Sequence, residues 1–404
     1  MSRLNALTLN VKCGALVACI LLTSCLGAGA RQKDTLKLTK VYSHPYVPKQ
    51  DQWFQAKLDW AGRYLALLET YSGVLKMVDW KAQTEVSRRT VEEFSCPGHH
   101  PETEVDWLFV PETPWLLMVR CQQLYVLDVQ TLKIVQKLTE RSEGWPRIAD
   151  VSLDGKYLAI VLGPPDDQQA ESVILFGRNE QGWQRLAQWA PFSRPNGGNR
   201  IGSVQFVPGK LELAVACSWY LSECSVIIYD LVALKPLERY NLPTHPFPKF
   251  PKSTFCIPLG GPFLGRAPDL VIGATGHGAF PGYPDFSGPY DLFLIHQKFP
   301  TGEIVKTIGL TASGPIRDLH ISPDGELAVS ETCDDPQDMG RFGQLTCRLF
   351  TVWDTRTGEI VHQSPNGLAG WARWAKPEFS PDGKYLVVLQ HNRVEIFELV
   401  REQQ

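Results

Sequence analysis

The chain repeats one short phrase, an Asp-Gly turn followed by an apolar run, at three widely separated places. The phrase is DVSLDGKYLAIVL at 150–162, HISPDGELAVS at 320–330 and FSPDGKYLVVL at 379–389. Glycine accepts the positive φ that a tight turn requires, and proline presets its own φ for such a turn. Each phrase therefore predicts a β-hairpin whose second strand is buried.

The spacing of these phrases indicates a repeated unit. Asp324 and Asp382 are 58 residues apart, and Asp154 and Asp324 are 170 residues apart, which is about three such intervals. Two further units are therefore expected between the first phrase and the second, and two more match upstream. The four additional units are predicted at residues 56–68, 105–119, 204–215 and 254–273.

A second marker accompanies the units, a short apolar run that in most units leads through a turn into one more apolar stretch. It occurs at residues 77–80, 126–129, 174–177, 228–231, 293–296, 352–355 and 396–399. Seven units of four strands each account for both markers. A single four-stranded sheet cannot bury its own faces, so each unit needs a neighbour on either side.

On these residues the chain resembles the WD-repeat and related β-propeller families, over about residues 36–400. Val352-Trp353-Asp354 is similar to the Trp-Asp ending of that repeat, whereas the family's Gly-His pair is absent. The resemblance implies an all-β, seven-bladed β-propeller with four antiparallel strands in each blade. The last unit lacks an outer strand after Leu399, and an N-terminal strand at 36–42 is expected to supply it and close the ring. An open pair of sandwiches and an eight-bladed ring are the alternatives.

The N-terminus predicts export. Arg3 and Lys12 are followed by a short apolar run at 13–22, which is too short to cross a bilayer comfortably. Leu22-Thr23-Ser24-Cys25 resembles the lipobox of bacterial lipoproteins, in which the cysteine is lipidated and becomes the first mature residue. An ordinary cleaved signal peptide and an uncleaved anchor helix are the alternatives.

The lipobox resemblance sets the expected organisation of the chain. It implies a signal peptide at 1–24, a lipidated tether at 25–35 and a single propeller domain at 36–404. Leu26, rather than Asp, follows the cysteine, which resembles the outer-membrane sorting pattern. The expected location is therefore the bacterial cell envelope, with the protein anchored to the outer membrane through its lipid and facing the periplasm.

Positions within the repeated units suggest how the cysteines pair, since an exported protein meets an oxidising compartment. Cys217 with Cys224, and Cys333 with Cys347, hold matching places at the ends of second and third strands. Cys96–Cys121 is a third predicted bridge, which leaves Cys256 as a buried thiol. The alternative is that all of these cysteines are free. No CxxC pair occurs, so the pattern does not predict a zinc ribbon or a thioredoxin site.

The residues expected to bind a partner lie in the loops opposite the Asp-Gly turns. These loops are long, framed by Pro and Gly, and rich in aromatic residues and Arg, which dominate binding surfaces. The alternative is that the rings only pack over the edge of the core. The candidates are Trp145, Arg147, His245, Phe247, Phe250, His277, Phe280, Tyr283, Phe286, Arg341, Phe342, Trp371 and Arg373.

Signals for catalysis are thin. The chain has no GxSxG, HExxH or phosphate-binding loop, so the sequence predicts no catalytic residue, no metal ligand and no cofactor. The net charge is −3, which does not point to nucleic acid as a partner.

Two hypotheses for the function follow. The first is a lipid-anchored envelope propeller that binds one or more unidentified envelope proteins through its loops, similar in plan to the propeller lipoprotein of outer-membrane protein assembly. The second is a propeller hydrolase or lyase that acts on an envelope sugar or lactone. Converging Asp, Glu, Asn and His side chains in the central channel would favour the enzyme.

Overall fold

The computed structural model describes most of the chain within the predicted propeller. The described residues are 35–45, 54–69, 74–90, 106–164, 170–192, 200–218, 225–241, 269–275, 291–298, 303–311, 316–332, 349–364, 376–390 and 393–402. Residues 38–399 form one compact unit, and the second unit, 1–37 with 400–404, is described only at 35–37 and 400–402. In these ranges no helix has the length and apolar character to cross a membrane.

Six antiparallel sheets of four strands form the blades of a β-propeller. The first blade is β2 (Phe54–Leu58), β3 (Tyr64–Glu69), β4 (Val74–Asp79) and β5 (Thr84–Thr90). The second is β6 (Asp106–Phe109), β7 (Trp115–Arg120), β8 (Gln123–Asp128) and β9 (Ile134–Lys137). The third is β10 (Trp145–Val151), β11 (Tyr157–Gly163), β12 (Ser172–Asn179) and β13 (Gly182–Trp189). The fourth is β14 (Arg200–Phe206), β15 (Glu212–Ser218), β16 (Ser225–Asp230) and β17 (Lys235–Asn241).

The remaining sheets follow in chain order. A three-stranded sheet is formed by β18 (Asp269–Thr275), β19 (Asp291–Lys298) and β20 (Ile304–Thr311). The fifth blade is β21 (Ile316–Ile321), β22 (Leu327–Thr332), β23 (Leu349–Asp354) and β24 (Ile360–Gln363). The closing blade is β25 (Lys376–Phe379), β26 (Tyr385–Gln390) and β27 (Arg393–Glu402), with β1 (Thr35–Pro45) beside β27 as its outer strand. An N-terminal strand thus completes the last sheet.

The prediction of seven four-stranded blades is wrong, because the described residues form six. The unit that departs from the prediction is the three-stranded sheet β18–β20. Its expected inner strand, at 254–257, lies outside the described residues.

The repeated Asp-Gly phrase is a turn held by a serine. In the third blade Ser152 Oγ donates a hydrogen bond to Asp154 Oδ1 at 2.7 Å and accepts one from the Tyr157 amide at 2.9 Å. Ser322 and Ser380 make the same pair of bonds at their turns. Gly155 has φ of 62°, and a Cβ there would lie 2.6 Å from the Pro111 carbonyl oxygen, so this position requires glycine.

The second marker also builds turns. Asp79, Asp128, Asp230 and Asp354 stand at the ends of third strands, and a carboxylate oxygen of each accepts the amide three residues further along the chain. This bond satisfies a backbone donor as the chain turns into the outer strand. Both markers are therefore structural and say nothing directly about function.

The core lies between neighbouring blades. Leu68 and Met77 of the first blade pack with Trp107 and Met118 of the second, and comparable clusters join the second blade to the third and the third to the fourth. Leu65 of the first blade packs in a cluster with the closing blade. Each fully buried Leu or Val contributes roughly 1.5–3 kcal/mol, so blade-to-blade packing dominates the stability.

Candidate functional site

The first strand of each four-stranded blade is its inner strand, and inner strands of neighbouring blades contact one another. The Lys57 ammonium on β2 lies 3.0 Å from a Glu378 carboxylate oxygen on β25, which joins the first blade to the closing blade. Burial lowers the pKa of Lys57, but the charges of Glu378 and Asp106 outweigh it and raise this pKa. Lys57 is therefore a fixed cation between carboxylates of two neighbouring blades.

Asp106 continues this chain of contacts into the third blade. Burial raises the pKa of its carboxyl group, whereas Lys57 and the backbone amide of Ile148 on β10 act in the opposite direction. Asp106 thus contacts the inner strand of the next blade through a backbone amide. Glu378, Lys57 and Asp106 link four successive blades by charge and hydrogen bonding.

Asp150 makes the next link, from the third blade to the fourth. Its carboxylate accepts the amide of Val151 at 2.8 Å and the amide of Phe206 on β14 at 2.8 Å. The register of β10 shifts between Ile148 and Asp150, and this bulge changes the direction of the Asp150 side chain. Burial raises the pKa of Asp150 to about 7, although the two amides favour its charged form.

At the start of the inner strands, opposite the Asp-Gly turns, lies what we call the mouth-side face. Trp145 begins β10 and is 41% exposed. Its cross-strand partner is Gly163, which has no side chain to cover the indole ring. An exposed aromatic ring at a rigid strand end suits partner binding.

Arg147 lies two residues further along β10 and joins the third blade to the fourth. Its guanidinium donates to Glu171 Oε1 at 3.3 Å and to the Ile201 carbonyl oxygen at 3.3 Å. Glu171 also accepts the Ile201 amide at 2.6 Å. Arg147 and Glu171 therefore both bind the backbone of Ile201, near the start of β14. Arg147 therefore has a structural role in addition to its exposure.

Trp145 and Arg147 are the predicted surface candidates that the structure describes, and it places them together on β10. The other eleven lie outside the described residues, so their grouping at one surface stays a prediction: His245, Phe247, Phe250, His277, Phe280, Tyr283, Phe286, Arg341, Phe342, Trp371 and Arg373. Cys25, the predicted lipidation site, also lies outside them.

Two predicted bridge cysteines are described. Cys121 and Cys217 are buried at strand ends. The predicted partners, Cys96 and Cys224, lie outside the described residues, as do Cys333, Cys347 and Cys256, so the pairing stays a prediction. Cys121 and Gln122 both have positive φ, 52° and 62°, and form a tight two-residue turn on the mouth-side face.

Sequence reasoning missed the residues that connect the inner strands. Lys57, Asp106, Asp150 and Glu378 belong to different repeats, and Glu171 precedes the strand β12. The available signal was an ionisable residue within a predicted inner strand. Within the described ranges, no group of three or more His, Cys, Asp or Glu residues is arranged to hold a metal ion.

Comparison with known proteins establishes the fold alone. No family model matches the sequence, and no curated protein sequence matches it. The Dos1 propeller is similar at a TM-score of 0.58 and 11% identity, over 89% of this chain and 95% of that one. The Neurospora crassa Pan2 WD40 domain is similar at 0.54 and 10%, over 91% and 96%. Kuenenia stuttgartiensis hydrazine synthase is similar at 0.53 and 13%, over 86% and 94%. The chain thus has a β-propeller fold, similar to that of WD40 domains.

Proposed function

We propose that this protein is a binding module of the bacterial cell envelope, tethered by a lipid on Cys25, that docks a partner protein on its mouth-side face. The observation that carries the proposal is Trp145, an exposed indole at the end of a rigid inner strand beside the Arg147–Glu171 pair. Aromatic and Arg side chains on a rigid frame supply binding energy at a low cost in conformational entropy.

The inner-strand carboxylates favour a scaffold over a hydrolase or lyase. Glu378 is paired with Lys57, and Asp106 and Asp150 accept backbone amides of the next blade. Each of these three carboxylates thus already has a partner that holds one blade against the next, which is a structural role. The binding function therefore remains the single proposal.

The surface is tested by photo-crosslinking in the full-length protein. A benzophenone amino acid replaces Trp145 in one variant and Leu153 in the other. Leu153 is the matched control, since it is 59% exposed in the Asp-Gly turn at the opposite end of the same inner strand. We expect one discrete crosslinked protein from position 145 and none from position 153. Equal crosslinking at both positions, or none at 145, contradicts the proposal.

The partner identified at position 145 is then used to measure affinity directly. Trp145→Ala is expected to weaken its binding at least tenfold, as at hot-spot residues, while Leu153→Ala leaves it unchanged. Joint replacement of Phe280, Tyr283 and Phe286 by Ala tests whether the segment that carries these three rings contributes to the same surface.

The anchor is tested separately by Cys25→Ser. We expect wild-type protein in the membrane pellet, with metabolic labelling by a fatty acid, and the variant without the label. If wild-type protein takes up no label, the lipid tether is wrong while the binding surface can still stand.

A further inference from the structure

The guanidinium group of Arg147 is only partly used by the contacts that it makes within the protein. Among the described residues, all of its hydrogen bonds run through Nη2, to Glu171 Oε1 at 3.3 Å, Glu171 Oε2 at 3.4 Å and the Ile201 carbonyl oxygen at 3.3 Å. The Arg147 side chain is 52% exposed. Its N–H donors on Nε and Nη1 therefore remain available to a ligand.

Glu171 fixes the orientation of this guanidinium group without covering it. The Glu171 side chain is only 15% exposed, and its Oε2 atom also accepts the Ile201 amide at 2.6 Å. The negative charge of Glu171 is thus shared between Arg147 and a backbone amide. A side chain held in place in this way loses less conformational entropy when it binds a ligand.

The Trp145 indole lies on the same face of the third blade as Arg147. Side chains alternate along a strand, and Pro146 between these two exposed residues is buried on the other face. Two residues span about 7 Å along a strand. A Cβ at Gly163, opposite Trp145, would make an ordinary 3.5 Å contact with the Trp145 Cβ, so the glycine is not required by the packing and leaves room beside the ring.

The acidic residues that precede Trp145 already have cationic partners. A Glu143 carboxylate oxygen lies 3.1 Å from the Arg185 guanidinium, and a Glu140 carboxylate oxygen lies 2.7 Å from the Lys137 ammonium. Because each of these charges is balanced by a cation, they oppose an incoming carboxylate only weakly. The surface therefore offers an apolar ring and a cationic donor about 7 Å apart.

We propose that the mouth-side face binds an extended segment of the partner that carries an apolar side chain and, two residues away, a carboxylate. The apolar side chain packs on Trp145, and the carboxylate accepts a charge-assisted hydrogen bond from a remaining donor of Arg147. The spacing matches, because side chains two residues apart in an extended segment also share a face and are about 7 Å apart. This inference rests on the proposed binding function and adds the chemistry of the partner.

Two tripeptides that differ in charge test this chemistry on the full-length protein. The probes are acetyl-Leu-Gly-Asp-amide and the neutral acetyl-Leu-Gly-Asn-amide, titrated to millimolar concentration at pH 7 while the Trp145 indole N–H and Arg147 Nε–H resonances are recorded. We expect the acidic probe to shift both resonances saturably and to bind about tenfold more tightly than the neutral one. Equal affinities, or no saturable shift from the acidic probe, overturn the inference without recourse to any variant.

A matched pair of variants assigns the preference to Arg147. Arg147→Met should lower the affinity for the acidic probe to that for the neutral probe. Arg178→Met should keep the full preference, since Arg178 is also a guanidinium beside an indole of the same region, 5.6 Å from the Trp115 ring centroid, but lies at the turn side of the third blade. An Arg147→Met variant that still prefers the acidic probe contradicts the inference.

The crosslinking experiment separates this inference from the proposed function. A discrete crosslinked protein from position 145, combined with equal affinities for the two probes, would leave the binding surface in place and overturn only the acidic partner segment. A crosslinked protein whose binding weakens with added salt in wild type, but not in Arg147→Met, would support both.

Discussion

Two blade junctions of this propeller hold neighbouring inner strands together through different polar contacts. The closing and first blades meet through opposite charges, Glu378 and Lys57, at 3.0 Å. The third and fourth blades meet through one carboxyl group, Asp150, and a backbone amide at 2.8 Å. At the first junction the charge of Glu378 helps to raise the pKa of Lys57, whereas at the second junction burial raises the pKa of Asp150. The difference shows that equivalent places in a repeat fold can respond to pH in different ways.

The largest expected effect separates the two junctions by pH. Because the pKa of Asp150 is raised to about 7 by folding, this group favours the folded state below its unfolded pKa and loses that advantage as pH rises toward 7. Its contribution should decline by at most about 4 kcal/mol between pH 4 and pH 8. Urea unfolding across this range should show Asp150→Asn gaining stability relative to wild type as pH rises. A constant difference contradicts the assignment.

Removal of the cation at the first junction should have the next largest effect. Lys57→Met leaves Glu378 and Asp106 without their positive neighbour and should cost about 2–3 kcal/mol, less than a fully buried pair because Glu378 is partly exposed. Lys76→Met is the control, since its 3.8 Å contact with Glu85 lies on the outer strands of the same blade and should cost under about 1 kcal/mol. Both variants are compared by urea unfolding at pH 7. Equal losses of unfolding free energy would show that the ion pair between inner strands is no more stabilising than the one between outer strands.

A smaller effect on the unfolding free energy is expected at the serine-held Asp-Gly turns, which have the same hydrogen bonds in three blades. Ser322 is buried, donates to Asp324 at 2.6 Å and accepts the Leu327 amide at 2.9 Å. Ser322→Ala should therefore lower the unfolding free energy by about 1–2 kcal/mol at any pH between 5 and 8. Ser43→Ala, at an exposed position of β1, should change it little. A loss of unfolding free energy at Ser322→Ala that varies with pH would contradict this expectation.

The smallest effect on stability is expected at the mouth-side face. Trp145→Ala should change the unfolding free energy by less than about 0.5 kcal/mol, as exposed positions usually do. Calorimetry at pH 7 checks this value beside the binding measurement. A loss of about 2 kcal/mol would assign Trp145 to the junction of the third and fourth blades rather than to a binding surface.

Local patterns predicted the local structure well. Ser152, Asp154 and Gly155 act within one turn, so their spacing in the sequence was enough to find it. The expectation of one regular repeat along the chain gave the wrong number of four-stranded blades, because β18–β20 form a three-stranded sheet in the described residues. Asp150 and Phe206 are 56 residues apart, and no local pattern reports which amide faces a carboxylate in the next blade.

The position of β1 has a consequence for biosynthesis. β1 belongs to the same sheet as β25–β27, and Lys40 meets Glu395 across a separation of 355 residues at 3.1 Å. During synthesis the first strand must therefore remain without its partner until almost the whole chain has been translated. An unpaired strand edge invites misassembly, and such distant pairing is slow. The completion of this sheet is expected to be the last folding event and the step most dependent on chaperones.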